Sequence, residues 1–436
     1  MPDPVPLLVL RSSRVLLPEG ERPASVEVAD GRIARVLALD DPAAAGGTDL
    51  GDLVLMPGLV DTHVHLNEPG NTEWEGFATG TAAALAGGFT TVVDMPLNSL
   101  PVTTTPEALT QKRAAAKDKL SCRVGFWGGV TGGMGEAEIE ALLDAGVWGL
   151  KAFLCDSGLA SFGAAGEAEL RVAMAALARR GLPLLAHAEL ATDTPAAAPA
   201  DPRSHDAWLA SRPPSMERDA IALLVRLCRE TGCRTHVVHV ADAGSLPLIA
   251  EAKAAGLPLT AETCPHHLCF AAEEIPAGAT AFKCAPPIRD AANREMLWAG
   301  LADGTLDLVA SDHSPCPPSM KAQEAGDFVA AWGGIASLEV SFAATWAEAS
   351  RRGFGLADVV RWMGERPAAL AGRTFGIAEG HPADLVALDP DARWTVRGAE
   401  LHHRHPLTPH EGREVRGLVK RAWIGGRPAG PGILQP

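Results

Sequence analysis

Two histidines separated by one residue, His63 and His65 in Asp61-Thr62-His63-Val64-His65, are the strongest chemical signal in this chain. Side chains alternate across a strand, so on an extended segment both imidazoles point to the same side, where they could hold one metal ion. Further candidates stand at the ends of other apolar runs: His187 closes LPLLAH, His239 closes THVVH, and Asp312 follows LVAS. Any one of them alone reads as structural. Repeated at strand ends they point to a metal cluster, because catalytic groups of a (β/α) barrel gather at the C-terminal ends of its strands. Lys151 lies inside the apolar GLKAFL. Burial there disfavours a free ammonium, so the side chain must be paired, deprotonated, chemically altered, or placed at an edge that reaches water. Carboxylation by CO2 would make it an anionic carbamate able to bridge two cations.

Other histidines carry less. His266 and His267, in ETCPHHL, read as packing near the same rim. His236, three residues before His239, reads as facing the helices. His402, His403, His405 and His410 read as a solvated or packing segment. Cys264 and Cys316 have no evident neighbouring base, so no cysteine nucleophile is expected.

The elements that must position these groups are legible as alternating strands and helices. Strands are expected at 54–65, 89–95, 121–128, 148–154, 182–187, 234–239, 257–262 and 306–311. Helices are expected at 73–87, 106–117, 135–145, 167–180, 217–232, 242–255 and 290–303, with two more near 335–351 and 356–371. Eight short apolar strands, each followed by a helix, fit a closed barrel. GGVTGGMG at 128–135 lacks the spacing of a phosphate-binding turn and reads as a loose loop. The Pro-rich stretch near 195–214 reads as a covering loop. Both chain ends carry β-like text, with Asp30-Gly31 where a hairpin turn belongs. The expected architecture is α/β: a (β/α)8 TIM-type barrel over 57–375 with a small β-sandwich assembled from 1–56 and 376–436.

Composition narrows the chemistry. Lys plus Arg number 38 against 53 Asp plus Glu, a net charge of −15, and no basic run tracks a phosphate backbone, so a nucleic-acid partner is not expected. No apolar run approaches membrane-spanning length, and the start of the chain lacks a signal-peptide pattern. The eight cysteines are dispersed without zinc-ribbon spacing, which suits a reducing cytoplasm. There is no tyrosine. Phenolic acids, nucleophiles and oxyanion donors are thereby excluded.

The chain resembles the cyclic amidohydrolases, which include dihydroorotases, hydantoinases or dihydropyrimidinases, and allantoinases. The resemblance covers nearly the whole chain, through PGLVDTHVHLNEPG, GGFTTVVDMPLNS, GLKAFLCDSG, LLAHAE, THVVHVADA, ETCPHHL, KCAPPIRD and VASDHSPCPP. It implies that His63, His65 and Asp312 hold one divalent metal and His187 and His239 a second. Lys151, as N6-carboxylysine, would bridge them. Zinc is the default, with cobalt, manganese or iron as alternatives. A hydroxide held between the cations would attack a ring amide, with Asp312 as the proton shuttle. Dihydroorotases place Arg directly after HVHL, where this chain has Asn67. Hydantoinases carry a Tyr soon after the bridging lysine, where this chain has Cys155, Asp156 and Ser157. The chain is most similar to the allantoinases, in TEWEG, KAFLCDSG, DHSPCPP and WGGIASLE. The expected reaction is therefore hydrolysis of allantoin to allantoate in ureide catabolism. Asn67, Asn98, Ser157 and the backbone at Ala285 are the substrate-contact candidates. A small cyclic ureide is the expected partner, and relatives suggest a homodimer or homotetramer. Another cyclic amidase, of hydantoinase or dihydroorotase type, is the first alternative, and a non-catalytic scaffold of the same fold the second.

Overall fold

The computed structural model describes residues 8–191 and 201–430. Its centre is a ring of parallel strands. Barrel strand one is Leu59–Val64, followed by Phe89–Asp94 and by a third strand in two pieces, Arg123–Phe126 and Gly128–Val130. Strands four to eight are Leu150–Phe153, Pro183–His187, Arg234–Val237, Leu259–Thr263 and Leu308–Val309. Neighbours pair in chain order. The ring closes where Val64 bridges His313 in parallel and the His65 amide donates to the His313 carbonyl at 2.8 Å. Strands one, two and five are buried along their whole length, as expected when helices cover the outside and side chains fill the inside.

Helices stand where the apolar periodicity puts them: Phe77–Ala86, Pro106–Ala116, Glu136–Asp144, Glu167–Arg180, Pro214–Thr231, Leu246–Ala254 and Ala291–Asp303. Local chemistry sets their ends. Thr105 caps the second by accepting from the Ala108 amide at 3.2 Å, and Gly181, at φ 66°, closes the fourth in the left-handed region. The chain then continues through Leu338–Arg351 to a bent helical run ending at Leu370.

The two chain ends build one mixed sheet of eight strands around its own core of Leu10, Val26, Ile33, Leu55, Leu385 and Trp423. Asp30 and Gly31, at φ 51° and 76°, make the tight turn between Gly20–Ala29 and Arg32–Leu37, the geometry a right-twisted hairpin favours.

Three expectations need correction. The stretch 54–65 is two strands, because Val54–Pro57 pairs with Leu385–Leu388 in the end sheet before Leu59 enters the barrel. Gly58 marks the switch: a Cβ there would lie 2.1 Å from Thr90 Oγ1. Strand three is interrupted at Trp127, whose indole turns inward to donate to the Thr62 carbonyl at 2.8 Å, and the Gly128 to Val130 part of the supposed loop is its continuation. Of the Pro-rich stretch, 195–200 lies outside the described residues, and the remainder contains the helix His205–Ser211.

Beneath the strand ends lies a buried ion pair. Lys112 Nζ donates to Asp94 Oδ2 at 2.6 Å and to the Met95 carbonyl at 2.8 Å, while Asp94 Oδ1 accepts from the Leu66 amide at 2.7 Å, one residue past His65. Lys112→Met should cost about 3–5 kcal/mol of stability, since it leaves Asp94 buried without its counter-charge. Chemical denaturation checks this; an unchanged midpoint would mean that the pair contributes nothing.

Candidate metal centre

His63, His65, His187, His239 and Asp312 line one cavity of about 80 Å³, together with Leu97, Asn98, Phe153, Ser157, Ala285, Ser314, Trp332, Gly333 and Gly334. His63 Nε2 lies 3.1 Å and His65 Nε2 3.4 Å from Asp312 Oδ1. The His63 ring centroid is 5.6 Å from that of His65 and 5.4 Å from that of His239, which in turn is 4.5 Å from His187. Single donor atoms of His63, His239 and Asp312 all fall within 4.8 Å of one another. A roomier cavity of about 340 Å³, beside Leu16, Arg361 and Phe375, holds none of these groups.

Lys151, on strand four, is fully buried, and its Nζ has no hydrogen-bond partner among the described residues. Its Nζ lies 5.3 Å from the centre of the Phe153 ring. Burial pulls its pKa down to about 8, with Glu262 and Asp312 opposing. A lysine in this state has a far larger neutral, nucleophilic fraction near neutral pH than an ordinary lysine, and that is the form that can add CO2.

Burial also lowers the pKa values of His65, His187 and His239, the last well below its ordinary value, and so favours the neutral imidazole that offers a lone pair. His63 behaves oppositely: burial lowers it, but Asp312 and Glu262 together outweigh that and raise it to about 9. Asp312 is held well below the usual carboxylate range, because His63, His65 and His239 overcome the burial that would raise it. Three neutral imidazoles and an ionised carboxylate on one cavity, with the unpartnered buried amine of Lys151 on the strand that carries cavity-lining Phe153, make a donor set that suits divalent cations.

Backbone strain concentrates here. His239 (φ 40°), Asp312 (φ 44°), Asn98 (φ 69°) and Asn67 (φ 63°) are four of the seven non-glycine residues with positive φ among the described ones. Each such residue costs on the order of 1–3 kcal/mol, and such sites cluster where function demands the geometry.

Of the substrate-contact candidates, Asn98, Ser157 and Ala285 line the cavity. Asn98 Nδ2 lies 3.4 Å from His65 Nδ1 and 3.5 Å from Ser314 Oγ. Ser157 Oγ donates to the Phe162 carbonyl at 2.6 Å. Asn67 does not line the cavity; buried behind it, it donates to the Pro315 carbonyl at 3.3 Å.

His236 overturns its expectation. It faces Glu262 inside the barrel, with its Nε2 2.9 Å from Glu262 Oε2 and its Nδ1 2.8 Å from Thr260 Oγ1. Face counting fails because His239 lies past the strand end, where left-handed backbone turns it back toward the cavity. Glu262 itself went unnoticed in the sequence: its Oε1 is 2.5 Å from His63 Nδ1. Glu189 was missed likewise, with Oε2 2.7 Å from His187 Nε2. Both stand inside quoted motifs, ETCPHHL and LLAHAE, and for Glu189 alone a local signal is available, an acid two residues from candidate ligand His187.

His266 and His267 are buried and pack edge to face at 4.3 Å, with His267 Nε2 3.3 Å from the Pro286 carbonyl. Of the two readings of the C-terminal histidines, solvated or packing, the contacts favour packing. His403 accepts from the Glu339 amide at 3.2 Å, His402 Nδ1 lies 3.1 Å from Glu339 Oε2, His405 Nε2 lies 2.7 Å from the Glu73 carbonyl, and His410 packs on Phe270. All eight cysteines are free and buried, and burial pushes the Cys264 and Cys316 thiols upward, the wrong direction for a nucleophile.

Residues 54–429 match the amidohydrolase family. The allantoinase of Streptomyces avermitilis is 51% identical over 96% of this chain and 94% of its own, and that of Arabidopsis thaliana 43% identical over 96% and 87%. Among solved structures, the L-hydantoinase (dihydropyrimidinase) from Arthrobacter aurescens superposes with a TM-score of 0.89 at 27% identity, covering 98% of this chain and 97% of that one. The dihydropyrimidinase from Brevibacillus agri NCHU1002 gives 0.87 at 27% identity, covering 97% and 95%.

Proposed function

Since the chain belongs to the amidohydrolase family, we propose that it opens the five-membered ring of allantoin by hydrolysis to give allantoate. The observation that carries this reading is the match to allantoinases along almost the whole chain, at 51% and 43% identity, with His63, His65, His187, His239 and Asp312 together on one cavity. His63, His65 and Asp312 would hold one divalent ion and His187 and His239 the other. Lys151 would join them as its N6-carboxylate, an assignment supported by its burial without a partner. When bound, such ions polarise a carbonyl oxygen and make an attacking water available near neutral pH. Zinc is the metal proposed, with cobalt, manganese or iron able to use the same donors.

The chain's own contribution is proton movement and positioning. Asp312 takes one proton from the attacking water as the carbon–oxygen bond forms at the ring amide. It returns that proton to the ring nitrogen as the carbon–nitrogen bond breaks, so one water is consumed and no net charge is left on the carboxylate. Asp312 is held ionised on the cavity wall, so a carboxylate is available there to accept the proton in the first half of that cycle. Asn98, Ser157 and the backbone at Ala285 would orient the ring and its ureido arm. With no tyrosine in the chain, no phenol assists the oxyanion. Asn67 would act from behind, through its hold on Pro315. No helix among the described residues is long and apolar enough to cross a membrane. The cytoplasm is the proposed location, and a homodimer or homotetramer the proposed assembly.

The hydantoinase-like fold makes a hydantoinase the reading to beat. Assay of the metal-loaded protein on allantoin, hydantoin, dihydrouracil and dihydroorotate should show allantoin as the preferred substrate. Brisk turnover of another member of the panel beside none of allantoin would replace this reading.

A further inference from the structure

We infer that Arg212 and Glu189 form a positioning pair that fixes the ring of His187 and thereby sets the affinity of one of the two metal ions, an inference that rests on the binuclear reading above. An imidazole offers a cation one lone pair, and the hydrogen bond at its other nitrogen decides which. His187 Nε2 lies 2.7 Å from Glu189 Oε2, so with an ionised carboxylate Nε2 carries the hydrogen and Nδ1 the lone pair. The ring plane is fixed separately, by stacking on Phe153 at 4.3 Å and 12°. Glu189 is fully buried, and its counter-charge is Arg212, which bonds the same Oε2. Oε1 has no partner among the described residues, so the carboxylate is anchored through that one oxygen.

Arg212 comes from another element, immediately after the helix His205–Ser211. Its guanidinium lies 4.9 Å from the Trp208 ring, and its carbonyl accepts from Arg289, which pairs with buried Glu217 at 2.6 Å. The Trp208 indole donates to the Cys284 carbonyl at 2.7 Å, next to cavity-lining Ala285. One short helix therefore braces both a wall of the cavity and, through Arg212 and Glu189, a candidate metal ligand. His63 has the analogous partner in Glu262, but Glu262 is shared with His236 on neighbouring barrel strands and needs no outside cation. The two histidines are thus held by separate devices, which predicts that one ion can be weakened without the other.

Zinc binding to wild type, Arg212→Met, Arg212→Lys and Glu189→Gln is measured by equilibrium dialysis in zinc buffers, with kcat and KM on the same samples. Wild type should bind two ions per chain. Arg212→Met and Glu189→Gln should bind one ion as wild type does and the other about 10–100-fold more weakly. Arg212→Lys should fall between, and the lost kcat should return at saturating zinc. Should Glu189→Gln fail to fold, Arg212→Met decides, its side chain being 20% exposed. Two ions bound at wild-type affinity by Arg212→Met overturn the positioning pair while leaving the binuclear reading intact. A wild-type chain that takes up fewer than two ions overturns the binuclear reading, and this inference with it.

Discussion

Lys151→Ala should abolish allantoin hydrolysis and leave the chain unable to retain two metal ions, whatever zinc and bicarbonate are supplied during purification. The side chain is fully buried without a hydrogen-bond partner, and burial draws its pKa down to about 8. Such an amine contributes nothing to stability as it stands, because a polar group taken from water without a partner costs on the order of 1–3 kcal/mol in proteins. A structural role and a ligand role therefore predict opposite results for Lys151→Met. If the lysine were a packing residue, replacing it with an apolar chain of similar length would be neutral or stabilising, and activity would survive. If it carries the carboxylate that joins two cations, the metal-free variant should unfold at no lower denaturant concentration than the metal-free parent, yet lose turnover and one or both ions. Partial return of activity to Lys151→Ala with a small added carboxylate would support the assignment directly. Full activity without such an addition would remove Lys151 from the centre.

The second large effect falls on Asp312. Asp312→Asn keeps the size of the side chain and removes both its negative charge and its ability to accept and return a proton. Turnover should fall by at least about 10²–10⁴-fold, the range associated with a positioned general base. KM should change far less, because the substrate-contact candidates are other residues. The variant should also weaken metal retention, since Asp312 Oδ1 sits between His63 and His65. Steady-state kinetics at saturating zinc separate the two losses: turnover restored to the parent value by metal alone would leave Asp312 as a ligand and remove it as the proton carrier.

Much of this architecture could be read from residue order. Eight apolar runs at barrel spacing predict eight strands, because strands buried on both faces must be continuously apolar and short. The placement of His63, His65, Lys151, His187, His239 and Asp312 near strand ends follows from the same pattern. What could not be read is what surrounds them. Alternation predicts faces only while the chain stays extended, so His236 was assigned to the wrong side once His239 left the strand in left-handed backbone. Glu262 and Glu189 look like ordinary strand-end acids until tertiary structure brings each within 2.7 Å of an imidazole nitrogen. Asn67, directly after HVHL, is a substrate-contact candidate by position, yet it stays off the cavity lining and its Nδ2 donates to the Pro315 carbonyl. The C-terminal histidines read as either solvated or packing by composition, and contacts with Glu339, Glu73 and Phe270 decide for packing. For His236, Glu262 and the C-terminal histidines the deciding partner is distant in sequence or follows a bend, which no local pattern encodes, whereas Glu189, two residues from His187, is within reach of one.

Two metal ions held by these residues would make the protein a hydrolase of allantoin, and metal occupancy tests this directly. Zinc is titrated into chelator-stripped protein, with ions per chain and allantoin turnover measured on each sample. Turnover should be absent without metal, rise with occupancy and level off at two ions per chain, with allantoate as the product. Full turnover in stripped protein, or a plateau already reached at about one ion per chain, would contradict it.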